Sequence, residues 1–128
     1  MLRVLIDTNI WIDYIKGKES SLVVQEIVSK NFAFRYSLIE GELRLGFIPN
    51  RNQFLERYRN LPSIQVISHE IVFQFIEKEK LFGISLNFVD ISIYALARMN
   101  DCLIWTSDKN LRKLCESKKI LFDWNKHV

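Results

Sequence analysis

The sequence contains little glycine, proline or cysteine: four, two and two residues among 128. No glycine-rich phosphate loop is present, which excludes nucleotide hydrolases of the P-loop type. No serine lies in a Gly-x-Ser-x-Gly turn, so acyl transfer of the esterase kind has no support. Cys102 and Cys115 lack the spacing of zinc ligands, and we expect both to be reduced residues of the core.

Long uncharged apolar runs are also missing. None approaches the roughly 20 residues needed to cross a bilayer, and the start of the chain, with Arg3 and Asp7, lacks the apolar stretch of a secretory signal. We therefore expect a soluble, cytoplasmic protein with no membrane partner. The length fits a single domain, 1–128, that buries roughly two-thirds of its unfolded surface. The net charge of +3 is too small to indicate a nucleic-acid partner, although it permits one if the basic residues collect on one rim.

Short apolar runs alternate with helical patterns along the chain. The run Val4–Ile6 is typical of a strand buried on both faces. Further strands are predicted at 32–36, 64–67, 103–105 and, as an edge strand, 120–122. The segments between them predict helices that begin after Asp7 and near Ser20, Ser37, Arg51, Ser68, Ser85 and Leu111. Strands that alternate with helices in this way indicate an α/β fold with a parallel sheet.

Four acidic side chains are expected to meet at one edge of this sheet. Asp7 and Asp108 follow strands at their carboxyl ends, where open α/β sheets bind ligands, and Glu42 and Asp90 lie in the first turns of apolar helices. Two carboxylates about 5 Å apart repel by roughly 3 kcal/mol at an effective dielectric of about 20. Such a cluster favours a hard divalent cation, and Mg²⁺ or Mn²⁺ is suited to activating water for phosphodiester hydrolysis.

Each acid also has a purely structural interpretation. Asp7 and Asp108 are suitable helix N-caps, and Asp90 favours the dipole of its helix. Glu40 completes a capping box at the start of its own helix. Glu42 instead shares an apolar stripe with the leucines at positions 38 and 45, where a charge needs a partner. The structural interpretation is therefore weakest for Glu42.

The order and spacing of four motifs resemble the PIN domain family and, within it, the small VapC-type toxins of bacteria and archaea. The motifs are Asp7-Thr8-Asn9, Glu42-Leu43, Asp90 followed by Ile91 and Ala95, and Thr106-Ser107-Asp108. The resemblance covers residues 2–122. It implies a three-layer α/β/α sandwich around a parallel sheet of four or five strands, and a Mg²⁺- or Mn²⁺-dependent endoribonuclease.

The resemblance also implies roles for individual residues. The metal-binding and catalytic acids would be Asp7, Glu42, Asp90 and Asp108. The supporting residues would be Thr8, Asn9 and Thr106, which orient those acids by hydrogen bonds, together with Asn110. Relatives often carry a further acid where this chain has Asn110, so the resemblance supports one metal ion more strongly than two. The basic residues best placed to hold RNA phosphates are Arg44, Lys109 and Arg112, with solvated surface as the alternative.

VapC-type toxins pair with a small antitoxin and form homodimers, so the resemblance implies both partners. Phe47 and Phe73 are compatible with a subunit surface but do not locate it. Other functions stay open: a nuclease of RNA maturation or DNA flap cutting, and a non-catalytic PIN scaffold in RNA processing. A phosphoaspartyl receiver or phosphatase is disfavoured, since Asn9 stands where such phosphatases carry a second aspartate. His69 and His127 are far apart in sequence and show no link to a nucleophile.

Overall fold

A computed structural model describes residues 1–126, and His127 lies outside the described residues, as does the end of the expected domain. The elements are β1 (Val4–Ile6), α1 (Thr8–Ile15), α2 (Ser21–Ser29), α3 (Ser37–Leu45), α4 (Arg51–Arg59), α5 (His69–Glu79), α6 (Phe88–Asn100), β2 (Leu103–Trp105), α7 (Lys109–Ser117) and a 3-10 turn (Trp124–Lys126). Within this range, no helix combines the length and apolarity that a membrane span requires.

The sheet consists of β1 and β2, which pair in parallel with Val4 opposite Leu103 and Ile6 opposite Trp105. Three isolated parallel bridges lie outside these strands: Val4 with Ala33, Arg35 with Ser63, and Ile104 with Leu121. The mixed α/β class is confirmed, whereas a sheet of four or five strands is not. Of the other three predicted strands, 32–36 makes two bridges, 120–122 makes one, and 64–67 makes none because the bridge falls at Ser63; these are too few for a continuous ladder.

The core surrounds β1 and α6. All three residues of β1 are buried, and seven consecutive residues of α6, 91–97, are buried as well. An apolar surface on every side predicts a helix in the interior, and this prediction is confirmed. Helix α6 packs against both α5 and β2, which places its amino end beside the carboxyl ends of the strands. Cys102 and Cys115 are free and buried, as expected.

Three local predictions are wrong. Glu40 forms no capping box; it lies in an ion pair with Arg44 one turn later (Nε–Oε2 2.8 Å), while Tyr36 occupies the N-cap position. Helix α6 starts at Phe88 rather than Ser85, because Ser85 has a left-handed backbone (φ 60°) that a helix cannot include. The helical spacing of Val72, Ile76 and Phe82 predicts that Phe82 lies in the core, but Phe82 is 65% exposed because α5 ends before it.

Candidate active site

Asp7 is the most enclosed acid of the site, with 5% of its surface exposed. It follows β1 directly, and its backbone N–H donates to the carbonyl of Trp105 at the end of β2 (2.9 Å). Its Oδ1 accepts from the backbone N–H of Thr8 (2.8 Å), and its Oδ2 accepts from the Thr106 hydroxyl (2.7 Å) and the Asn9 amide (3.3 Å). Asp7 is thus both the N-cap of α1 and a fixed carboxylate at the sheet edge.

Burial raises the pKa of Asp7 above its ordinary value. The hydrogen bonds from Thr106 and the backbone of Thr8 lower this pKa, while the charges of Glu42 and Asp108 raise it. The net direction is upward because desolvation of the carboxylate and repulsion by other acids exceed the effect of its donors. A nearby cation would favour the ionised form.

Side-chain hydrogen bonds connect the segment that follows β1 to the turn that follows β2. Thr106 is fully buried, and its hydroxyl accepts from the backbone N–H of Asp108 (3.1 Å) while donating to Asp7. The side-chain Oδ1 of Asn9 accepts from the backbone N–H of Ser107 (3.1 Å), and its Nδ2 donates to the Thr106 hydroxyl (3.5 Å). These contacts fix the position of Asp7 relative to the turn that carries Asp108.

Glu42 reaches the site for a different reason from the one expected. The buried residues of α3 are Ile39 and Leu43, whereas Leu45 is 89% exposed and Glu42 is exposed too, so the predicted apolar stripe is wrong. Glu42 is held instead by the Thr8 hydroxyl, which donates to Glu42 Oε1 (2.6 Å). Thr8 therefore donates its backbone N–H to one acid and its hydroxyl to another.

Asp90 and Asp108 both cap helices. Asp90 forms a capping box with Asn87: the Asp90 backbone N–H donates to Asn87 Oδ1 (2.9 Å), and the Asn87 N–H donates to Asp90 Oδ2 (3.4 Å). Asp108 Oδ1 accepts from the backbone N–H of Leu111 (2.9 Å) at the start of α7. Burial raises the pKa of Asp90, and the charges of the other three acids raise it further. All four carboxylates therefore share one electrostatic environment.

The donor chemistry of this site fits a hard divalent cation. Mutual repulsion among carboxylates and a buried Asp7 with a raised pKa are conditions that such a cation relieves. Within residues 1–126, however, no three His, Cys, Asp or Glu side chains lie close enough together to hold one ion directly. Mg²⁺ is usually bound through one or two carboxylates and several waters, so it does not need all four acids as direct ligands.

The other residues assigned from sequence are more scattered. Asn110 donates to the backbone carbonyl of Ser85 (3.3 Å) and makes no hydrogen bond to the acids among the described residues. Arg44 is engaged by Glu40. Lys109 is exposed at the start of α7, and Arg112 donates from Nη1 to the carbonyl of Thr106 (3.2 Å).

Two contributors were missed. Asn87 positions Asp90, and the pattern of an asparagine three residues before an acid at a helix start could have revealed it. The backbone of Ser107 binds Asn9, and no sequence signal identifies that contact because the partners are 98 residues apart.

Acids lie at the ends of both strands and at the start of α6, whereas Glu42 lies in the second half of α3 and not in its first turn as expected. The chain matches the PIN domain family over residues 4–117 and belongs to that family. It is similar to the protein named Ribonuclease VapC32 of Mycobacterium tuberculosis, in the strains CDC 1551 / Oshkosh and ATCC 25618 / H37Rv. Each is 30% identical over 113 residues, which cover 88% of this chain and 90% of the relative. The chain is a VapC-type PIN domain, which confirms the resemblance seen in the sequence.

Proposed function

We propose that the protein is a metal-dependent endoribonuclease that hydrolyses RNA phosphodiester bonds, and that it is the toxin of a toxin–antitoxin pair. The observation that carries this proposal is the buried carboxylate of Asp7, held by Thr106, Thr8 and Asn9 at the edge of the sheet next to further acids. The relative named as a ribonuclease supports the substrate class.

Asp7, Glu42, Asp90 and Asp108 would hold Mg²⁺ or Mn²⁺ together, one or two of them as direct ligands and the others through bound water. When bound, such an ion supplies a water activated for attack and neutralises charge that develops on a phosphoryl oxygen. The residues around the acids hold the carboxylates in position. Thr106 and Asn9 keep the Asp7 oxygens in one orientation, and the hydroxyl of Thr8 does so for Glu42.

The proposed RNA contacts are Arg44, Lys109 and Arg112. Lys109 and Arg112 lie on α7 beside Asp108 and form no ion pair within the described range. Arg44 shares its charge with Glu40, so its contribution to phosphate binding is the smallest of the three. Asn110 would support the site only indirectly, through the loop at Ser85.

The remaining proposals follow from membership of the VapC type. They are a single PIN-like domain over 1–128, a three-layer arrangement with four or five strand segments around the sheet, a cytoplasmic location, a small antitoxin as partner and a homodimer. The three parallel bridges on either side of β1 and β2 support the wider sheet. Exposed Phe47 and Phe73 are compatible with a subunit surface.

The test compares the wild type with Asp7→Asn and Asp101→Asn. Asp101 is an exposed residue that precedes β2, so the control makes the same chemical change at the opposite edge of the sheet. We expect Mg²⁺- or Mn²⁺-dependent cleavage of RNA by the wild type and by Asp101→Asn, and none by Asp7→Asn, with the three far-UV spectra alike. Equal cleavage by Asp7→Asn would sink the proposal.

Expression in a bacterial host separates the toxin from its alternatives. Growth arrest with discrete RNA fragments, seen for the wild type and absent for Asp7→Asn, supports a toxin. Metal-dependent cleavage of purified RNA without growth arrest favours a nuclease of RNA maturation. Neither cleavage nor arrest favours a non-catalytic scaffold.

A further inference from the structure

A second concave surface adjoins the candidate active site at Thr106 and Ser107. This cleft has a volume of about 580 Å³, and we name it the Arg112 cleft after a residue of its wall; its other lining side chains include Ile10, Asp13, Lys18, Ser20 and Trp124. Thr106 and Ser107 line it too, while the Thr106 hydroxyl donates to Asp7. The cleft and the candidate catalytic carboxylate therefore share a wall. Its volume is in the range of sites that hold small molecules, which includes nucleotides.

Arg112 is held in place without being neutralised. Its Nη1 donates to the backbone carbonyl of Thr106 (3.2 Å), which fixes the guanidinium beside the strand end. It forms no ion pair within residues 1–126, and neither does Lys18, an exposed residue of the same cleft. Two cations without carboxylate partners in one cleft are the kind of group that positions a nucleic-acid phosphate.

Trp124 differs from the other two tryptophans of the chain. Trp11 and Trp105 are 4% and 1% exposed and pack against aromatic rings. Trp105 also lines the cleft, but its 1% exposure leaves no free ring face. Trp124 lines the cleft too, is only half-buried and pairs with no other aromatic ring in the described part of the chain. A tryptophan surface of this kind is suited to stacking by a base of single-stranded nucleic acid.

The cleft also contains two acids, Asp13 and Glu19, which form no ion pair among the described residues. Their charges oppose any phosphate that enters. A polyanion therefore gains little from the cleft by charge alone, so that a ligand has to match both a cation and the aromatic surface. This requirement favours a nucleotide over a free anion.

We propose that the Arg112 cleft binds one nucleotide of single-stranded RNA next to the cleaved bond, with its base against Trp124 and its phosphate near Arg112 and Lys18. The proposal rests on the proposed ribonuclease function and names a part of the substrate that this function leaves undefined. It favours an unpaired base, because a base within a duplex would first have to be unpaired and unstacked before its face could meet the indole.

The first experiment locates the RNA by intrinsic fluorescence. Asp7→Asn protein, which we expect not to cleave, is titrated with a mixed-sequence single-stranded RNA decamer, and binding is followed in parallel by anisotropy of a labelled copy. We expect tryptophan emission to fall on binding, and we expect this fall to be absent in the double variant Asp7→Asn/Trp124→Phe. The other two tryptophans are too buried for a base to reach. Anisotropy that shows binding without a Trp124-dependent change in emission would overturn the proposal.

The second experiment uses variants of opposite sign. Trp124→Ala should weaken RNA binding by about tenfold or more. Lys18→Gln should weaken it several-fold and reduce the slope of log affinity against log salt by about 0.7, as expected for one phosphate contact to a single strand. Asp13→Asn should tighten binding several-fold, a gain that a merely destabilised protein cannot show. The matched control is Lys113→Gln, an exposed residue of α7 outside the cleft, for which no change is expected.

Three results decide between the outcomes. Cleavage of RNA by the wild type, with affinity unchanged in both Lys18→Gln and Trp124→Ala, would overturn the cleft while leaving the ribonuclease intact. No binding of the decamer by Asp7→Asn protein would also overturn the cleft, and the wild-type cleavage assay then judges the ribonuclease separately. Equal sensitivity to these substitutions with a DNA decamer would assign the cleft to single-stranded nucleic acid in general and refute its assignment to RNA.

Discussion

Thr106 permits a quantitative test of the candidate active site, because one buried hydroxyl serves both of its loops. The Thr106→Val substitution keeps the shape of the side chain and removes the oxygen. The lost contacts are the hydrogen bond to the Asp7 carboxylate (2.7 Å) and the one from the Asp108 N–H (3.1 Å). A hydrogen bond to a charged group contributes about 1.5–3 kcal/mol and a neutral one about 1 kcal/mol. We expect the free energy of unfolding to fall by about 2.5 to 4 kcal/mol.

The assay is urea unfolding at neutral pH in the presence of a chelator, followed by circular dichroism. Thr106→Ser is the matched control, since it keeps the hydroxyl and loses one methyl group, a change that costs about 1 kcal/mol in a core. The dependence of the free energy on urea should be the same for all three proteins. The reasoning is refuted if the valine variant is as stable as the serine variant. In the RNA cleavage assay, serine should likewise retain more activity than valine.

Three further predictions concern stability, thiol chemistry and metal binding. Tyr58→Phe should lower the free energy of unfolding, measured in urea, by about 1–3 kcal/mol, because the buried Tyr58 hydroxyl accepts from the backbone N–H of Tyr36 (2.9 Å) and donates to its C=O (3.3 Å). Tyr14→Phe is the control and should leave that free energy unchanged. Burial raises the pKa of Tyr58, so wild-type stability should fall as pH rises above about 10, where the unfolded phenol ionises, and should fall less in the Phe variant. Burial raises the pKa of Cys115 to about 12 and also raises the pKa of Cys102. Neither thiol should therefore react with a disulfide reagent at neutral pH until the protein unfolds. Fast reaction of the native protein would contradict this. Mg²⁺ added to chelator-treated protein should raise the melting temperature, because an ion present at 100 times its dissociation constant stabilises the folded state by about 2.7 kcal/mol. Asp7→Asn should abolish the rise, and an equal rise in that variant would rule out Asp7 as a ligand.

Much of the helical structure was predictable because its signals are local. The apolar spacing after Asp7 and the serine cap at Ser68 predict α1 and α5, and the nearly all-round apolar surface of residues 91–97 predicts the buried helix. The strands were harder to predict, since a ladder depends on partners far away in sequence. The run at 32–36 makes two isolated bridges and the run at 120–122 makes one, and nothing within those runs distinguishes a bridge from a strand.

Some residues of the candidate site were likewise predictable from local sequence, and others depend on contacts between distant residues. The positions of Asp7 and Asp108 at strand ends follow from the order of the elements, so the sequence was enough to suggest them. Glu42 was chosen for a wrong reason, because helical spacing alone does not say which face of α3 turns inward. The hydrogen bond from Thr106 to Asp7 joins residues 99 positions apart, and only the parallel pairing of β1 with β2 brings them together.

The single bridges that flank β1 and β2 have a consequence for the opening of the native protein. A segment attached by one or two backbone bonds separates from its neighbour at a smaller cost in free energy than a continuous ladder does. In amide hydrogen exchange, we therefore expect 32–36 and 120–122 to exchange earlier than Leu5, Ile104 and the interior of α6. Asp7 and Thr106 directly follow the strands of this slowly exchanging centre. The proposed chemistry would thus depend on the last part of the chain to open, while the edges of the sheet fluctuate without disturbing it.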